Sequence, residues 1–91
     1  MAKRKYRVVF AKAADRQLRK LPERLQQRLV RAAELLEDDP RPPGAKKLQG
    51  AENLWRVRVG DYRILYEIQN TKLIVLVIRL AHRKDIYRKG T

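Results

Sequence analysis

The sequence has no cysteine, a single histidine and only four glycines in 91 residues. Without thiols there is no disulfide framework and no thiolate metal site, and one imidazole with few clustered carboxylates does not make a metal centre. Long apolar runs are missing as well. Met1 to Lys5 is basic, but the Tyr6 to Phe10 stretch behind it is too short for the core of a signal peptide, and no later run reaches a membrane span. A cytoplasmic location is expected, with no membrane role. The length bounds the rest: residues 1–91 should form one domain with a modest core and no room for a separate cofactor domain.

Acidic residues are also scarce. Ten Asp and Glu stand against 23 Lys and Arg, a formal charge of +13 that attracts polyanions strongly at this size. A nucleic acid or an acidic protein is the expected partner. Because the charge is spread along the whole chain, position rather than total charge has to decide which residues matter.

Tyr6, Val8 and Phe10 alternate with Arg7 and Val9, the period of a short strand with one buried face, placed at about residues 5–10. Ala14, Leu18 and Leu21 recur at helical spacing, with Asp15 near the positive end of the helix dipole. That helix stops at Pro22. Proline suits a first helical turn, so Pro22 opens a second helix whose Leu25, Leu29, Ala32 or Ala33, and Leu36 form one stripe, leaving Arg24, Arg28 and Arg31 largely outside it. Asp38 to Gly44 carries three prolines and makes a stiff loop.

Beyond Lys46-Lys47-Leu48, the segment Leu54 to Val59 alternates Trp55, Val57 and Val59 against Arg56 and Arg58. Gly60-Asp61 turns the chain, Tyr62, Ile64, Tyr66 and Ile68 mark a third strand, and Asn70-Thr71 turns it again. Leu73 to Leu80 is nearly all β-branched or leucine, as in a central strand buried on both faces. The fold class is therefore α+β: strand, helix, helix and three further strands, a mostly antiparallel four-stranded sheet with a helical hairpin packed on one face.

Arg56, Arg58 and Arg63 fall on adjacent strands, and Arg79, His82, Arg83, Lys84 and Tyr87 lie on or just after the last one. If those strands are neighbours, the groups converge on one face, where guanidinium forks each make two charge-assisted hydrogen bonds to phosphate. The plainer reading is a solvated outer face with cross-strand ion pairs such as arginine with Glu67. Trp55, in phase with Val57 and Val59, reads as core rather than as a base-stacking platform.

Leu54 to Tyr66, with its Gly60-Asp61-Tyr62-Arg63 hairpin, followed by Val77 to Tyr87, with its His82-Arg83-Lys84-Asp85-Ile86-Tyr87 tail, resembles the C-terminal half of RelE-type toxins of the RelE/ParE superfamily. Lys46-Lys47-Leu48-Gln49-Gly50 is similar to the stretch before that family's second strand, and the early strand and helical hairpin match too. The resemblance covers essentially the whole chain. It implies the toxin of a type II toxin–antitoxin system, held inactive by a cognate antitoxin, which enters the ribosomal decoding site and cleaves the bound messenger RNA without metal or cofactor.

In that reaction the 2′-hydroxyl attacks its own phosphate, leaving a 2′,3′-cyclic phosphate and a 5′-hydroxyl end. By resemblance Arg63 and Arg83 match the family's catalytic arginines, Arg56 and Arg58 its two basic strand positions and Tyr87 its tail tyrosine; Arg63 best suits stabilising the phosphorane and Arg83 the leaving oxygen, while Arg56, Arg58, Lys84, Lys46 and Lys47 are expected to bind RNA. Where the family carries lysines this chain has Arg56 and Arg58, and a guanidinium makes no general base. Tyr87 is the leading base, since neighbouring cations favour a phenolate; it is otherwise a packed terminal aromatic. His82, with an imidazole suited to neutral pH, is the second candidate base, or else a strand-end residue bonded to backbone; Lys84 is the third. Two other functions stay open: a ParE-like module that inhibits DNA gyrase and cuts nothing, and a basic RNA-binding protein without catalysis.

Overall fold

Alternation of small apolar and charged residues carries over directly into the architecture. The structure, a computed structural model, describes residues 5–83. Strand β1 (Arg7–Phe10) leads into α1 (Lys12–Arg19) and α2 (Glu23–Leu35), followed by β2 (Lys46–Lys47), β3 (Leu54–Val59), β4 (Tyr62–Gln69) and β5 (Ile74–His82). The sheet order is β1-β5-β4-β3-β2. β1 runs parallel to β5 and every other pairing is antiparallel. The sheet thus has five strands where the sequence pattern predicts four. The addition is Lys46–Lys47 against Arg56 and Trp55, two residues long and so too short to show alternation.

Pro22 stands at the cap of α2, with its φ of −57° already close to helical and its carbonyl accepting from Gln26 N–H at 2.9 Å. The Gln26 side chain donates to Leu21 O at 2.8 Å, fastening the end of α1 to the start of α2. Ala14 and Leu18 of α1, with Leu29, Ala33 and Leu36 from α2 and its end, pack on Ile64, Tyr66, Ile68, Val75, Val77 and Leu80 of the sheet. Each large aliphatic side chain buried there contributes about 1.5–3 kcal/mol. Trp55 is partly buried against this core, as its phase predicts, and Arg41 lies 5.5 Å from its ring centroid.

β5 is interior, between β1 and β4, but the middle of the five strands is β4 rather than β5, and the helices cover one side of β5 only. Val75, Val77 and Leu80 are buried on the helix side, while Ile74 and Leu76 on the opposite face are half-buried. Within β5 the pairing slips by one residue: Leu65 faces Arg79, yet the next residue, Tyr66, faces Val77, so Ile78 is extra. This bulge reverses the phase of everything that follows it.

Two side chains fasten the periphery. Glu37, buried at the end of the helical hairpin, accepts Val8 N–H on its Oε2 at 2.9 Å, and its carbonyl accepts Tyr6 N–H at 3.0 Å. The carboxylate thereby caps the outer edge of β1, which has no strand neighbour there among the described residues. The buried Tyr66 hydroxyl donates to Pro40 O at 2.7 Å, and burial pushes its pKa up to about 12. That bond holds the proline-rich loop against the sheet.

Candidate nucleic-acid interface

The face of the sheet turned away from the helices carries the charge. In antiparallel pairs directly opposed residues share a face, so the register reads as rows. Arg58 opposes Arg63, which in turn opposes Ala81. The next row runs Lys46, Arg56, Leu65, Arg79 across four strands. Lys46, Arg56, Arg58 and Arg63 surround a shallow hollow of about 290 Å³, closed on one side by Gly44 from the proline loop. No carboxylate is among these lining residues. Gly44 has φ of +93°, a conformation suited to glycine, and its part in the hollow was not anticipated; Pro42-Pro43-Gly44 was the available signal.

The hairpin that aligns Arg58 with Arg63 is tight. Gly60 has φ of +60° and Asp61 is not in the left-handed region, the pattern of a type II′ turn with glycine first. The guanidinium of Arg28 on α2 lies over Gly60, where an added Cβ would meet its Nη2 at 3.1 Å. On the other side of the turn, Arg83 N–H donates to Asp61 O at 2.7 Å, so Arg83, directly after β5, is pinned beside the same hairpin.

Two expected site residues are placed elsewhere. His82 opposes Tyr62 on the helix side of the sheet, with the two rings edge to face at 4.9 Å and 84°. The register thus turns it away from the face carrying Arg58 and Arg63. Lys47 opposes Trp55 and shares its face, so only Lys46 of the lysine pair joins the hollow. Lys84 and Tyr87 lie outside the described residues. Among the described residues no group of three or more His, Cys, Asp or Glu is placed to hold a metal ion.

Similarity to known proteins agrees with this geometry. Residues 8–87 match the family model described as the ParE toxin of the type II toxin–antitoxin system parDE. The chain is 35% identical to the toxin RelG of Mycobacterium tuberculosis over 85 residues, covering 92% of this chain and 98% of that protein. It is 32% identical to the toxin RelE3 of Methanocaldococcus jannaschii over 85 residues, covering 89% and 94%. Among solved structures it superposes on a chain of the archaeal RelE–RelB complex from Pyrococcus horikoshii OT3 with a TM-score of 0.76 and 30% identity, covering 87% of this chain and 96% of that one. An arginine-lined sheet backed by a helical hairpin and a family match spanning nearly the whole chain lead to one assignment: this protein belongs to the RelE/ParE superfamily and is a RelE-family toxin of the type II toxin–antitoxin class.

Proposed function

We propose that the protein is a metal-independent endoribonuclease acting in the cytoplasm, which cleaves messenger RNA in the ribosomal decoding site. The observation that carries this reading is the Arg58–Arg63 pair, flanked by Arg56 and Lys46 around a hollow with no carboxylate in its lining. Four cations held together with no carboxylate among the described lining residues are stabilised by an anion, and an open, shallow hollow suits a phosphodiester better than an enclosed small molecule.

In the proposed reaction the 2′-oxygen forms a bond to the adjacent phosphorus and the bond to the 5′-oxygen breaks. The 2′-proton passes to a base, and a proton reaches the departing 5′-oxygen. Arg63, preorganised on β4, stabilises the extra negative charge of the phosphorane. Arg56, Arg58 and Lys46 hold flanking phosphates, Arg83 serves the leaving oxygen, and Tyr87 serves as base. With His82 on the helix side, Lys84 becomes the second candidate for the base.

The relative from Pyrococcus horikoshii is a RelE chain in complex with RelB. By analogy a cognate antitoxin binds this chain, and an acidic segment of it would neutralise part of the +13 charge. A second reading is favoured by the family model, whose description names ParE: a toxin that cuts nothing and inhibits DNA gyrase. Induced expression separates the two. The nuclease halts growth and leaves codon-phased 5′-hydroxyl ends on messages, whereas intact messages with gyrase-dependent arrest of replication would establish the other reading.

A further inference from the structure

Gln17 of α1 does something unusual for a helix side chain. Its Nε2 donates to Leu80 O at 2.9 Å while its Oε1 accepts from Leu80 N–H at 3.0 Å. The side-chain amide therefore makes the two bonds that a neighbouring strand would make. It does so where, among the described residues, no strand pairs with β5 on the side away from β4: Ala11 N–H bonds to Val77 O at 2.8 Å, and the chain then departs into α1. Leu80 presents its backbone groups to the edge that β1 has just left, and its side chain is buried.

The bulge at Ile78 lies between these two attachment points. We infer that Gln17 is a positioning residue which holds β5 in its bulged register and thereby keeps Arg79 on the same side as Arg56 and Arg63. Without the bulge every residue after Val77 reverses. Arg79 and Ala81 would face the helices, Leu80 would face solvent, and the backbone groups of Leu80 would point at β4, beyond the reach of Gln17. The paired bonds therefore exist in one register only. The structural part stands on these bonds and pairings alone; the consequence for RNA cleavage rests on the nuclease reading above.

Two variants of the full-length chain test it. Gln17→Met keeps length and removes both bonds. Gln17→Glu keeps shape, but its carboxylate accepts from Leu80 N–H and cannot donate to Leu80 O, until protonation restores a donor. In Gln17→Met, Leu80 amide exchange should accelerate by ~10-fold or more, and the Arg63–Ala81 cross-strand nuclear Overhauser effects should weaken. Single-turnover cleavage at saturating ribosomes should fall by about 10-fold or more, because the lost bulge would also misplace Arg83, assigned above to the leaving oxygen, with ribosome affinity far less changed. In Gln17→Glu the Leu80 amide keeps an acceptor while Leu80 O loses its donor, so exchange of that amide should accelerate less than in Gln17→Met. A merely structural role would lower the melting temperature and leave the saturated rate of the folded protein intact. Wild-type cleavage by Gln17→Met, or an unchanged Leu80 amide in it, would overturn the inference. If the wild-type chain cleaves nothing, the nuclease reading falls, while exchange and the cross-strand effects still decide whether Gln17 sets the register.

Discussion

Arg58 and Arg63 stand directly opposite one another across β3 and β4, two like charges in a position where sheets ordinarily place opposite ones. Such a pair weakens the hairpin by roughly 0.2–1 kcal/mol. Arg63→Ala should therefore leave stability unchanged or slightly raised in denaturant unfolding. Single-turnover cleavage should nevertheless fall by roughly 10²–10³, about 2.7–4 kcal/mol of transition-state stabilisation. Stability and activity moving in opposite directions is the signature; a variant that loses both to the same extent would show that Arg63 supports the fold.

Lys46 and Lys47 are adjacent in sequence and face opposite ways, which makes a matched control. Lys46→Ala and Arg56→Ala should each reduce the slope of log affinity against log salt by about 1 for binding to a cleavage-resistant RNA or to ribosomes. Lys47→Ala should change it much less. Equal slopes for the two lysine variants would mean that the hollow is not where phosphates sit.

Tyr87→Phe keeps an aromatic ring and removes the ionisable oxygen, separating stacking from proton transfer. A fall of ~10²-fold or more in saturated cleavage with binding unchanged is expected of a general base. Full activity would move that role to Lys84, which Lys84→Met, followed across pH, would check. His82→Gln should leave saturated cleavage near wild type, because its ring faces Tyr62 rather than the hollow.

Tyr66 gives the fold an alkaline limit. Burial raises its pKa from the ordinary 10.0 to about 12, so the folded state holds this proton more tightly than the unfolded chain. Its contribution is intact below pH about 10 and is lost as pH rises towards about 12, an effect on the order of 2–3 kcal/mol. Tyr66→Phe should flatten that part of the stability profile. At neutral pH the same variant should cost about 1–3 kcal/mol, since Pro40 O is left without its donor. An unchanged alkaline profile in the variant would rule out Tyr66 as the titrating group.

Much of this was legible in the residues, and the failures have identifiable causes. β3 begins and ends where alternation and Gly60-Asp61 place it, because polar and apolar residues differ sharply there. The rows of Arg56, Arg58 and Arg63 follow from the same alternation. β5 is different: from Ile74 to Ile78 every residue is aliphatic, so no contrast in polarity marks the extra residue at the bulge. The placement of His82 was partly readable, since it differs in parity from Arg79 and Arg83 and a strand sends such neighbours to opposite faces. Lys46 and Lys47 differ in parity in the same way. Gln17 carried no signal at all, because its partner is backbone that lies far off in the sequence.

The parallel pairing of Arg7 with Ile74 also orders events in time. β3, β4 and β5 are joined by tight turns and close locally, whereas β1 must find a partner far along the sequence, Arg7 pairing with Ile74, a contact that carries a large loop-closure cost. The three-stranded meander should therefore form the folding nucleus, with β1 docking late. Substitutions in the β3–β4 hairpin would slow folding, and those in β1 would chiefly speed unfolding. During synthesis β1 emerges well before β5 and waits for it, so the basic face, with Arg79 on β5, is assembled only once β5 has been made.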